Sequence, residues 1–122
     1  MGGRVLLIED EPNITEAIRF ILARDGWVVD THANGATAMD AIAAQTPDVI
    51  ILDAMLPNRS GFDILSEIRA SDDFAELPVL MLTARGQDRD RERAETLGAN
   101  QFMTKPFSNA DVLSSVRTLA GQ

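Results

Sequence analysis

Cysteine is absent from this chain of 122 residues, which removes disulfides, thiolate metal sites and thiol nucleophiles from consideration. Long apolar runs are absent as well. None approaches the length of a membrane span, and the start Met1-Gly2-Gly3-Arg4 lacks the layout of a signal peptide, so a cytoplasmic address is expected. Positive charge is scarce: 11 Lys and Arg against 19 Asp and Glu leave a formal charge of -8. Such a surface repels phosphate backbones and anionic membranes, so neither nucleic acid nor a membrane is expected as a direct partner. A cation or a basic protein face fits better. Histidine occurs once, as His32, and is assigned no function. Repeats, low-complexity tracts and linkers are missing, so residues 1–122 read as one domain. A hydrophobic content of 45% with 25% charged residues supports a buried core rather than disorder.

What the chain does have is a rhythm. Apolar runs of strand length alternate five times with segments of helical period, which predicts an α/β fold of (βα)5 type: a doubly wound, five-stranded parallel sheet. The runs are Val5 to Ile8, Trp27 to Thr31, Val49 to Leu52, Val79 to Leu82, and Phe102-Met103. The first, third and fourth are almost uninterrupted Val, Leu, Ile and Met, as expected of strands buried on both faces, whereas the second suits an edge. The first helix opens at Glu11-Pro12 with the stripe Ile14, Ala17, Ile18, Ile21, Leu22 and stops at Asp25-Gly26. Later stripes are Met39 and Ile42, then Phe62, Leu65 and Ile68, then Val112, Leu113, Val116 and Leu119. The segment from Gln87 to Leu97 differs: its run of Arg, Asp and Glu leaves only Ala94 and Leu97 as anchors, which predicts a loosely held helix with a solvated face and internal ion pairs.

Right-handed crossovers with the strand order 2-1-3-4-5 put strands 1 and 3 side by side at a switch point. Polar residues stand where the strands run out: Glu9-Asp10, Asp53, Thr83 and Lys105. Three carboxylates crowded into one cleft repel, so either one is protonated or a cation joins them. Hard oxygen ligands suit Mg²⁺, which takes one or two carboxylates and completes its shell with water and phosphate oxygens. Thr83 is then placed to donate a hydrogen bond to a phosphoryl oxygen, and Lys105 to pair as a point charge. Duller readings exist: the acids as helix N-terminal residues, Thr83 as an N-cap, Phe102 as plain core.

Four segments resemble the receiver domain of bacterial two-component response regulators, which is CheY-like: Leu7-Ile8-Glu9-Asp10-Glu11-Pro12; Asp53 with Met55-Leu56-Pro57 and Ser60-Gly61; Leu82-Thr83-Ala84-Arg85-Gly86; and Thr104-Lys105-Pro106-Phe107. The resemblance runs from Arg4 to about Leu119. It implies that Asp53 is the phosphorylation site, taking a phosphoryl group from a phosphohistidine on a sensor histidine kinase or histidine phosphotransfer protein. It makes Glu9, Asp10 and Asp53 the Mg²⁺ ligands together with the Met55 main-chain carbonyl. It gives Thr83 and Lys105 the phosphoryl oxygens, and it makes Thr83 and Phe102 the switch pair that carries the signal to a downstream protein partner or output domain. It also implies a cis Lys105-Pro106 bond, and places Met55 and Arg85 beside the path of the hydrolytic water. Such a domain promotes its own phosphotransfer and dephosphorylation without being an enzyme acting on free substrates.

The stretches Thr83 to Gly86 and Lys105 to Phe107 look most like those of receivers of winged-helix transcription factors, which pair through charged residues on the last two helices. Here Asn100-Gln101 replaces the usual acidic pair, and Ser114-Ser115 occupies a stretch where a basic residue is common, which counts against a dimer through those helices. With Gln122 as its last residue, the chain is expected to be either a stand-alone receiver or one cut from a longer regulator. Competing readings fit less well. A flavodoxin-like FMN carrier would not put Glu9-Asp10-Glu11 against a phosphate, and a phosphatase with an Asp nucleophile would want a carboxylate at position 55 instead of Met. The remaining alternative is a degenerate receiver that binds proteins without phosphorylation.

Overall fold

The computed structural model describes residues 3–84 and 88–121. Each apolar run is a strand and each segment of helical period a helix, in the order β1 (Arg4–Ile8), α1 (Pro12–Arg24), β2 (Val28–His32), α2 (Ala38–Gln45), β3 (Val49–Asp53), α3 (Gly61–Ala70), β4 (Val79–Thr83), α4 (Asp88–Leu97), β5 (Gln101–Thr104) and α5 (Asn109–Leu119). A short 3-10 turn, Gly35–Thr37, precedes α2. All four strand pairings are parallel and the order is β2-β1-β3-β4-β5, as expected from the alternation.

Successive strand residues point to opposite faces, and both faces are covered. Leu6, Ile8, Ile50, Leu52, Val79 and Met81 pack against α2, α3 and the single buried residue of α4, Ala94. Val5, Leu7, Val49, Ile51, Leu80 and Leu82 pack against Ile18 and Leu22 of α1 and Val112 and Val116 of α5. A fully buried aliphatic side chain of this kind contributes about 1.5–3 kcal/mol relative to exposure. That burial fixes the register, which in turn brings the C-terminal ends of β1, β3 and β4 to one edge.

Local signals set the helix ends. Pro12 occupies the first turn of α1, where its missing N–H costs nothing, and Gly26 follows the helix at φ 92. Ser60 and Ser108 cap α3 and α5 by accepting from the Asp63 and Asp111 N–H groups at 3.2 and 3.1 Å. Asp25, just past α1, accepts hydrogen bonds from the Arg117 guanidinium of α5 and from Trp27 Nε1, and the Arg117 contact holds its carboxyl down at about 2.

Three expectations need correction. Ala17 is exposed, not part of the buried stripe, because the inner face of α1 is carried by Ile18, Ile21 and Leu22 with Ile14 half-buried. Trp27 precedes β2 instead of starting it and turns into the core beside α1. The internal ion pairs expected of α4 are not found among the described residues. Arg91 and Arg93 lie over the Phe102 and Phe62 rings instead, 5.4 and 4.3 Å from the centroids. The expected first residue of that helix, Gln87, lies outside the described residues.

Candidate functional site

Asp53 is the last residue of β3 and pairs in register with Leu82, so Thr83 ends β4 one step further along the same edge. Glu9 and Asp10 directly follow β1, the other neighbour of β3. The chain topology alone therefore brings these residues to the C-terminal rim. Carboxylate oxygens of Glu9, Asp10 and Asp53 all lie within 4.8 Å of one another. Glu9 and Asp53 are buried, whereas Asp10 is exposed and guards the opening.

Lys105 reaches this cluster from the loop after β5. Its Nζ is 2.8 Å from Glu9 Oε1 and 3.4 Å from Asp53 Oδ2. The Lys105 N–H donates to the Thr83 carbonyl at 2.7 Å, which ties the base of that loop to the end of β4, and the Lys105-Pro106 bond is cis, as the resemblance implies. Burial acts to lower the pKa of the ammonium, but hydrogen bonding and charge from Glu9 and Asp53 outweigh it and raise the pKa above its ordinary value. Lys105 is therefore a fixed positive charge at neutral pH.

Asp53 is the perturbed acid. Only 3% of the residue is exposed, and burial, followed by the negative charge of Glu9, pushes its carboxyl up from 3.8 to about 6. The Met55 N–H, which donates to Asp53 Oδ1 at 3.2 Å, and the nearby Lys105 pull the other way without prevailing. One ammonium among three carboxylates leaves negative charge uncompensated. Glu9 Oε1 is buried and has the Lys105 ammonium 2.8 Å away. Its partner oxygen, Oε2, accepts from the Glu11 N–H at 3.0 Å. Three converging carboxylates balanced by a single ammonium are hard oxygen donors that fit a divalent cation of the Mg²⁺ type.

The loop after Asp53 is tightly constrained. A Cβ at Gly61 would sit 2.1 Å from the Asp53 carbonyl oxygen, so no other residue fits there without moving the strand end. Met55 exposes 71% of its surface beside the carboxylate while its N–H is engaged by Asp53. The loop after β2 braces this segment from outside. Gly35 N–H donates to the Pro57 carbonyl at 3.1 Å, and Asn58 Nδ2 donates to Asn34 Oδ1 at 3.0 Å. Sequence reasoning passed over that brace, although Asn34-Gly35 is an ordinary turn signal.

The remaining expected residues are placed as follows. Thr83 is buried at the rim. Phe102 stands apart from the acids, on β5 opposite Met81, half-buried on the α4 side of the sheet. His32 ends β2, and its Nε2 is 2.7 Å from Thr37 Oγ1, consistent with a structural side chain. Arg85 lies outside the described residues.

Comparison with known proteins agrees with this geometry. Residues 5–117 match the response regulator receiver domain family. The chain is 40% identical over 115 residues to the probable transcriptional regulatory protein TcrX of Mycobacterium tuberculosis, covering 94% of this chain and 48% of that protein. It is also 40% identical over 116 residues to the transcriptional regulatory protein TrcR of the same organism, covering 95% and 44%. It thus spans about half the length of these curated relatives. Among solved structures, the receiver domain of a Pseudomonas aeruginosa sensor histidine kinase, with a magnesium ion coordinated in its active site cleft, superposes with a TM-score of 0.90 at 31% identity over 100% of both chains. The order of the strands, the acid cluster at their ends and the family match lead to one conclusion: this chain belongs to the response regulator receiver domain family.

Proposed function

We propose that residues 1–122 form one receiver domain that acts in the cytoplasm and accepts a phosphoryl group on Asp53. The donor is a phosphohistidine of a sensor histidine kinase or a histidine phosphotransfer protein. Glu9, Asp10, Asp53 and the Met55 carbonyl would hold Mg²⁺, which when bound supplies positive charge against the phosphoryl oxygens and the crowded carboxylates. An ionised Asp53 oxygen attacks phosphorus in line. The new O–P bond forms as the P–N bond breaks, and the electron pair stays with the departing imidazole. Lys105 provides a second, covalently fixed positive charge where charge spreads over the oxygens in transfer. Loss of the phosphoryl group to water returns inorganic phosphate and a free carboxylate.

Once attached, the phosphoryl group draws the Thr83 hydroxyl toward it, Phe102 moves into the space released, and α4 shifts with it to alter the face made by α4, β5 and α5. That face signals to a downstream protein partner or to an output domain in the intact regulator; the shared length with two transcriptional regulators favours the latter. The observation that carries this reading is the convergence of Glu9, Asp10 and Asp53 within 4.8 Å, opposite the Lys105 ammonium. Incubation with acetyl phosphate, with and without Mg²⁺, followed by intact-mass measurement, tests it. The wild type should gain one phosphoryl group only with Mg²⁺, and Asp53→Asn should gain none. Equal labelling of both chains would reject it.

A further inference from the structure

Helix α4 has little apolar surface with which to dock. Ala94 is its one buried side chain and Leu97 is half-buried, so the aliphatic grip on the sheet is small. Two arginines supplement it. Positions 91 and 93 are two apart and project from different sides of the helix, toward different neighbours. The Arg91 guanidinium lies 5.4 Å from the centroid of the Phe102 ring on β5, and that of Arg93 lies 4.3 Å from the Phe62 ring on α3. A guanidinium over an aromatic face at these distances is attracted by the ring quadrupole.

The two rings differ in freedom. Phe62 is buried in the core shared by α2, α3 and the sheet, so it offers a fixed seat. Phe102 is half-buried on the edge strand and lines, with Arg91, Phe107, Asp111, Ser114 and Ser115, a pocket of 310 Å³ on the side of α5, so its outer side is not held by packing. We propose that Arg91 is a latch, holding α4 against the outward position of Phe102, while Arg93 is the pivot that keeps the helix attached to α3. Moving the Phe102 ring toward Thr83 breaks the Arg91 stack and leaves the Arg93 stack intact. The latch therefore opposes the conformational change, and its consequence for signalling rests on the phosphoryl-acceptor function proposed above.

The test compares the wild type with Arg91→Ala, Arg91→Lys and Arg93→Ala. Amide hydrogen exchange across 88–97 and 101–104 is read on the unphosphorylated protein, and the rate of labelling by acetyl phosphate with Mg²⁺ is read by intact mass. Losing either stack should raise exchange in α4 by roughly fivefold. Arg91→Ala should also speed labelling, with Arg91→Lys between it and the wild type because a cation remains over the ring, whereas Arg93→Ala should label at the wild-type rate. Wild-type exchange in Arg91→Ala, or identical effects of Arg91→Ala and Arg93→Ala on both readouts, would overturn the latch. Failure of every chain to be labelled would reject the acceptor function, while the exchange comparison would still decide whether Arg91 holds α4.

Discussion

Removing the charge of Asp53 should make the metal-free protein more stable at neutral pH. The carboxyl is pushed from 3.8 to about 6 in the folded state, first by burial and then by Glu9. At about 1.4 kcal/mol per pH unit of displacement, the ionised form carries a folding penalty on the order of 3 kcal/mol. The sign follows from proton binding. Between pH 4 and 6, roughly, the folded state holds a proton on Asp53 that the unfolded state has released, so stability falls as pH rises through this window. The penalty is absent below it and complete above it. Asn in place of Asp removes the titration and keeps an oxygen for the Met55 N–H, at the expense of the 3.4 Å ion pair with Lys105. The net gain for Asp53→Asn at pH 7.5 in chelator should therefore be about 1–3 kcal/mol, shrinking toward zero near pH 4. Urea unfolding with and without Mg²⁺ across that pH range measures it. Added Mg²⁺ should narrow the gap, since ligand at about 100 times its Kd stabilises the wild type by about 2.7 kcal/mol and the variant by less. A variant less stable than the wild type in chelator at pH 7.5, with the same pH profile, would refute the electrostatic reasoning.

Lys105→Met should destabilise the metal-free protein by about 2–4 kcal/mol in thermal or urea unfolding, because it leaves the buried Glu9 carboxylate without its cation. Thr83→Ala should leave phosphorylation of Asp53 intact by mass while weakening the spectroscopic or exchange response to it; a full response would remove Thr83 from the switch. Asn100→Asp should stabilise by roughly 1 kcal/mol in urea unfolding, since the Asn100 oxygen already accepts from Arg69 and from the Val79 N–H at 2.8 Å, and charge strengthens both bonds. The new carboxylate would have a lowered pKa, so that gain should be complete above about pH 4 and disappear in stronger acid.

The sheet was legible because β1, β3 and β4 are buried on both faces, and burial of that kind writes itself as uninterrupted Val, Leu, Ile and Met. The ends of β2 and β5 were less so. Gln101 and Thr104 belong to β5 through main-chain pairing with β4, which leaves no apolar mark, and Trp27 is apolar for the sake of the core instead of the strand. The meeting of Glu9, Asp10 and Asp53 was legible for a topological reason: once the strand order is known, residues at the C-terminal ends of adjacent parallel strands become neighbours. The reach of Lys105 to Glu9 Oε1 spans from the end of β5 across β4 and β3 to the end of β1, a side-chain crossing that strand order alone does not fix. The arginines were the least visible part. Arg91 and Arg93 on a charged helix read as solvated in any periodicity, and their aromatic partners lie on β5 and α3. Arg69 is similar: it ties α3 to Gly98, Leu77 and Asn100 through acceptors that no local pattern predicts.

The most direct measurement is to locate the phosphoryl group chemically. After treatment with acetyl phosphate and Mg²⁺, reduction with borohydride converts an aspartyl phosphate to homoserine, and peptide mass mapping reports which position changed. The acid cluster acting as a phosphoryl acceptor predicts homoserine at position 53 and nowhere else, and none when Mg²⁺ is withheld. Modification at another residue, or an unmodified Asp53 under saturating donor and Mg²⁺, would contradict it.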